Sequence, residues 1–186
     1  MALKIIVPFV FILALSGFIA LKNEVPRGWY ISGSNKSDYT ISIDKKAFLG
    51  KKAATIKSSK KNSEGFVTLM QKVSAKNYAG KDIRFSCYIK SKNVSGWASP
   101  WFRANESGNP SPVYFNNFHT RKYTGTMEWT ELKETITVPV QADSIAFGVQ
   151  LNGNGQIWAD NFKIELLGKN NNYDQKCEPV NLDFED

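Results

Sequence analysis

The feature that most constrains this chain is an alternation of apolar and polar residues with period two. It runs in short segments from Val25 onward, separated by clusters of Gly, Asn, Ser and Pro. Successive side chains of a strand point to opposite faces, so this pattern belongs to half-buried sheet. In residues 83–91, Ile83, Phe85, Cys87 and Ile89 share one face, and Arg84, Ser86, Tyr88 and Lys90 share the other. Residues 130–138 place Leu132, Ile136 and Val138 inward, and Pro139 ends that run by removing a ladder donor. Residues 144–153 place Ile145, Phe147, Val149 and Leu151 inward; their other face, Ala146, Gly148, Gln150 and Asn152, is small and polar. Such a face is either open to a ligand or covered by a loop. Polar stretches at 34–37, 60–64, 105–111 and 169–176 read as loops, and a last strand is expected at 180–184. No long amphipathic helix interrupts the pattern, so the expectation is one all-β sandwich over residues 25–186.

The first 21 residues differ. A lysine at position 4 precedes an apolar run over 5–21, which reads as a signal peptide or an N-terminal membrane anchor helix. Ala14 and Ser16 fit a cleavage site, while an uncleaved anchor fits equally. The domain is therefore expected to be secreted, periplasmic or membrane-anchored outside the cytoplasm. Cys87 and Cys177 could then close a long loop as a disulfide. Alternatively, Cys87 is a small buried hydrophobe on its apolar face.

The formal net charge is +7, with lysines at 45, 46, 51, 52, 57, 60 and 61. These read as a solvated cationic face with acidic glycans or lipid head groups as neighbours. Nucleic acid is not expected, since that role needs aromatics interleaved with the charge and conflicts with export. An enzyme is not expected either. His119 is the sole histidine, no Gly-x-Ser-x-Gly elbow is present, and neither cysteine has a nucleophile's context.

Several stretches together resemble the galactose-binding-like jelly rolls, the superfamily that includes many carbohydrate-binding modules. They are PRGWYISG at 26–33, GFVTLMQKVSA at 65–75, YAGKDIRFSCYIKS at 78–91 and VSGWASPWFRA at 94–104. YTGTMEWTE at 123–131 and GNGQIWADNFKIE at 153–165 complete the set. Their order is similar to a poorly characterised bacterial subgroup, sometimes found beside regulatory or hydrolytic domains. The resemblance implies a jelly-roll β-sandwich that binds a glycan or another ligand of the cell envelope, as a monomer and without catalysis. One departure stands out: the segment NLDFED, which opens many such modules, is at 181–186 here. Either it closes the sandwich as a permuted strand, which the exposed sheet edge favours, or it begins a second module.

A sugar site needs a ring for the sugar's C–H face, and amides or charges for its hydroxyls. Trp97, Trp101, Arg103, Asn116, Asn117 and Arg121 supply these within a short span, and Gln150 and Asn152 join them from the small polar face. Alternation puts Trp101 and Arg103 on one face; the competing possibility is that Trp101 is core, with Arg103 stacked on it as a structural cation–π pair. Trp29, Trp129 and Trp158 are assigned to packing, because each lies in a motif the resemblance ties to the fold.

Asp160 would share a strand face with Trp158, Phe162, Ile164 and Leu166, where an ionised carboxylate is costly unless paired. The resemblance implies a structural calcium held by Asp160 and Glu185, with backbone carbonyls completing the shell. The alternatives are a carboxylate capped by backbone N–H groups or a lysine, or a bulge that turns Asp160 outward.

Overall fold

The structure is a computed structural model that describes residues 23–48, 51–118, 123–168 and 174–186. The expected leader over 1–21 lies outside these residues. Among them, no helix is long and apolar enough to cross a membrane.

Among the described residues nine antiparallel strands form in chain order: β1 (Tyr30–Gly33), β2 (Tyr39–Phe48), β3 (Lys51–Ser58), β4 (Phe66–Ser74), β5 (Asp82–Asn105), β6 (Tyr114–Asn116), β7 (Tyr123–Thr137), β8 (Ser144–Asn152) and β9 (Gln156–Leu166). The two runs around 83–91 and 94–104 are one 24-residue strand, β5, which serves both layers. Its first half lies between β7 and β9, and its second half between β6 and β8. Register shifts at Ser91, Val94 and Ala98 and a positive φ of 52° at Asn93 mark where it crosses from one layer to the other. One layer is thus β1-β4-β8-β5-β6, and the other is β7-β5-β9-β3-β2.

The inward sets are as alternation dictates. Ile83, Phe85, Cys87 and Ile89 from β5 meet Ile145, Phe147, Val149 and Leu151 from β8, all buried. Phe85 lies 5.6 Å from Phe102 and 6.0 Å from Phe147 between ring centroids, so the aromatic core spans both layers. Cys87 is part of this core and Cys177 is unbridged; burial pushes the Cys87 thiol far above its ordinary value, which makes it inert packing.

Residues 180–184 do not form a strand, contrary to the expectation, yet they do close the domain. The Gln71 amide donates to the Val180 carbonyl (2.5 Å) and accepts from the Val180 amide (3.2 Å). Phe162 N–H donates to the Leu182 carbonyl, and the Trp29 indole N–H donates to the Asn181 carbonyl. Two left-handed residues, Asn181 (φ 49°) and Phe184 (φ 55°), break the extended path that a ladder needs. The tail therefore docks through the Gln71 amide, the Trp29 indole, one backbone hydrogen bond and one buried ring.

Candidate functional site

The outer face of the first layer carries a groove of about 200 Å³. Register explains its composition, because residues paired across antiparallel strands share a face. One row runs Trp101, Gly148, Met70, Tyr30, and the next runs Ser99, Gln150, Thr68, Ser32. Arg103 pairs with Phe115 of β6 and Ala146 of β8. The small face of β8 is thus the bed on which Trp101 and Met70 lie, forming with Ala146 an apolar cluster apart from the main core.

Gly148 has a definite role in this bed. A Cβ there would stand 2.2 Å from the Leu69 carbonyl oxygen and 2.9 Å from the Met70 Cα, both backbone atoms of β4. Gly148→Ala is therefore expected to destabilise the domain by about 1–3 kcal/mol, as overpacking does. A thermal melt equal to that of the parent would show that β4 and β8 can separate without cost.

Trp101 is 5% exposed and forms the floor. Its indole N–H donates to Thr68 Oγ1 at 2.8 Å, and that hydroxyl donates to the Val149 carbonyl at 2.9 Å. The Arg103 guanidinium lies 5.9 Å from the Trp101 ring centroid, so the structural cation–π pair is present. The accessible rings are instead Phe115, 54% exposed, and Phe66, 37% exposed, neither of which sequence reasoning selected. Arg103 Nε is buried and has no hydrogen-bond partner among the described residues. Burial pushes the Tyr30 phenol above its ordinary value, and the charge of Arg103 acts against that shift.

Of the residues expected to bind, Trp101, Arg103 and Gln150 line this groove together. Trp97 and Asn152 pair with each other, and Asn152 with Phe66, in a row at the end of the same face. Asn116 pairs with core residue Phe102, and its side chain accepts the Phe118 amide, so its amide group serves the turn after β6. The Asn117 carbonyl accepts from Ser99 Oγ. Arg121 lies outside the described residues, as does His119. Phe66 and Phe115 were missed because each stands where a core residue reads equally well; only pairing with Asn152 and Arg103 puts them on the rim.

Asp160 does not share the face of Phe162, Ile164 and Leu166. Between Tyr88↔Asp160 and Ser86↔Lys163 the register slips by one residue, with Asn161 at φ 52°. This bulge leaves Phe162 in the core and turns Asp160 to the outer side of β9. There it borders a cavity of about 150 Å³ with Phe48, Lys51, Asn161 and Asp183. Asp160 is 3% exposed, and its carboxylate accepts the Asn161 N–H at 2.6 Å. Burial pushes its pKa up to about 7, with Asp183 and Glu185 adding to the rise and Lys51 opposing it.

Glu185 comes close enough for its charge to act on Asp160. Its Oε1 accepts the Lys52 N–H at 2.9 Å, while Lys52 Nζ donates to the Glu185 carbonyl at 2.6 Å. Asp160 and Asp183 offer hard oxygen donors to a calcium ion, which takes six to eight. Among the described residues no three His, Cys, Asp or Glu side chains are placed to hold a metal.

The chain has a jelly-roll, galactose-binding-like fold, the architecture shared by its structural neighbours among carbohydrate-binding modules. One of these is the CBM22-1 xylan-binding domain from Paenibacillus barcinonensis Xyn10C, with a TM-score of 0.55 and 13% identity over 81% of this chain and 92% of that one. The enzymatically active domain of bacteriophage CBA120 tailspike protein 4 aligns with a TM-score of 0.60 and 11% identity, over 76% of this chain and 20% of that chain. In sequence, the chain is 35% identical over 169 residues to the Bacillus subtilis protein "Uncharacterized HTH-type transcriptional regulator YbfP", covering 86% of this chain. It spans 57% of the length of that relative. No protein-family model matches the chain.

Proposed function

We propose that this chain is a non-catalytic, extracytoplasmic carbohydrate-binding module that holds one or two rings of a longer glycan in the groove over Trp101. The observation that carries this is Arg103. Its half-buried side chain sets the guanidinium over Trp101 in the groove, beside the Gln150 amide and the Ser32 hydroxyl. A guanidinium there can donate to a sugar hydroxyl, and Phe115 and Phe66 offer flat apolar surface to the sugar's C–H face. The groove is smaller than the roughly 300–1,000 Å³ of a drug-sized site, which suits a short stretch of polymer. Support also comes from the xylan-binding domain with the same architecture. The apolar run at 5–21 supports export, whether it is cleaved or kept as an anchor.

Calorimetric titration against a panel of neutral oligosaccharides tests the proposal. Phe115→Ala is expected to weaken the best ligand by about 3–10-fold, the value of one stacked ring, without lowering the melting temperature. Unchanged affinity in both Phe115→Ala and Arg103→Met would remove the groove from consideration.

Structural calcium at Asp160 and Glu185 belongs to the same proposal as a stabilising element only. The cavity bordered by Asp160 and Asp183, with the charge of Glu185 acting on Asp160, supports it.

A second function is favoured by the Bacillus relative, whose name describes a transcriptional regulator. In that case the groove is the ligand-sensing part of a larger regulator, and occupancy must alter its DNA-binding partner domain. Fractionation decides between the two: an extracytoplasmic module is accessible to protease added to intact cells, whereas a sensor inside the cell is protected.

A further inference from the structure

The second layer carries another cleft on its outer face, of about 310 Å³, lined by Asp44, Ala47, Lys90, Lys92, Trp129 and Trp158. We propose that it is a separate binding site for an acidic glycan, a polysaccharide bearing carboxylates on some of its rings. The claim rests on the carbohydrate-binding function proposed above but concerns a different sheet and different residues.

Local geometry assembles the cleft. Trp158 of β9 pairs with Lys90 of β5, which places both on the outer face. Opposite Lys90, the β5–β7 register skips: Thr130 pairs with Ile89 and Met127 with Ser91. Glu128 and Trp129 therefore stand against the single residue Lys90, and Trp129, which alternates outward from inward Leu132, lines the same cleft. Trp129 and Trp158 are both half-buried, where the sequence had suggested packing. Phe48 backs Trp129 at a centroid distance of 4.7 Å, which holds that ring in place.

The charges then select the ligand. Asp44 accepts the Trp158 indole N–H at 2.9 Å, and Glu128 accepts from Lys90 Nζ at 3.0 Å; Lys90 also lies 5.9 Å from the Trp158 ring centroid. Lys92 is exposed and has no ion-pair partner among the described residues. It pairs with Gln156, which pairs in turn with Lys57, so a row with an exposed lysine at each end lies beside the tryptophans. Two rings flanked by uncompensated ammonium groups match a sugar ring that carries a carboxylate.

A nucleic acid fits less well. A DNA backbone carries no O–H donor for the Asp44 and Glu128 carboxylates, whereas the hydroxyls of a sugar ring can donate to them.

The test is titration of the full chain with oligogalacturonate, with its neutral methyl ester, and with a single-stranded oligodeoxynucleotide. Expected is binding of oligogalacturonate that weakens at least tenfold in Lys92→Glu and in Trp129→Ala, weakens with added salt, and is unchanged in Phe115→Ala. The Lys92 variant changes only an exposed side chain, so it remains informative if Trp129→Ala fails to fold. Overturning results are no binding of the acidic oligomer, equal binding of the ester, indifference to Lys92→Glu, or tighter binding of the oligodeoxynucleotide. Neutral-sugar binding sensitive to Phe115→Ala with no acidic-oligomer binding would leave the first groove standing and remove only this second site.

Discussion

Phe184→Ala is expected to lower the stability of the domain by about 3–5 kcal/mol, the usual cost of deleting a buried aromatic ring. Phe184 is 0% exposed, with its ring centroid 4.9 Å from Trp29 and 6.1 Å from Phe162. Trp29 and Phe162 in turn pack on Phe147 of β8, so the ring closes an aromatic cluster shared by both layers. It also holds a left-handed backbone conformation, costly for a bulky residue, which persists only because the ring's burial outweighs it. The check is urea unfolding: the midpoint should fall with little change in slope. Val180→Ser, at an exposed position of the same segment, should stay within about 0.5 kcal/mol. Should Phe184→Ala prove equally silent, the segment at 181–186 is not part of this domain's core.

Asp160→Asn is expected to stabilise the metal-free domain at high pH and to leave it unchanged near pH 4. The folded-state pKa is raised to about 7 from the ordinary value of 3.8, chiefly by burial. Well below pH 4 the carboxyl is protonated in both folded and unfolded chains, and its burial carries no charge penalty; at pH 4 the penalty has only begun to appear. As pH rises toward 7 the unfolded chain ionises first, so stability falls; above 7 the full cost of the buried charge is present. That difference corresponds to about 4 kcal/mol at most. Asparagine keeps an oxygen to accept the Asn161 N–H and cannot ionise. Unfolding in chelator at pH 4, 6 and 8 should give a falling profile for the parent and a flatter one for the variant. Parallel profiles would mean that Asp160 is not desolvated. Calcium added at pH 8 should restore the parent and leave Asp160→Asn unaffected if the carboxylates hold the ion; no response of the parent would dismiss the calcium proposal.

Much of the fold was legible because period-two alternation maps directly onto faces. The inward sets of β5 and β8 are those read from the text, and the small face of β8 is indeed the bed of the groove. Alternation failed where a bulge changed the count. Past Asn161 the parity inverts, so Asp160 and Trp158 lie on the outer side while Phe162 stays inside; Trp129 faces outward by plain alternation from Leu132, and the resemblance alone assigned it to packing. The single signal in the text for that bulge is an asparagine, a residue that tolerates positive φ but does not demand it.

The sequence by itself determined that this chain makes strands, which side of each strand is apolar, and that Trp101 and Arg103 share a face. Tertiary structure decided which strands became neighbours. It set Phe115 beside Arg103, made Trp101 a floor instead of a platform, and gathered two tryptophans and two lysines on the opposite layer. The reason is geometric: alternation is a property of one strand, whereas a site is built across several. Their order in the sheet depends on long-range pairing that no local pattern encodes.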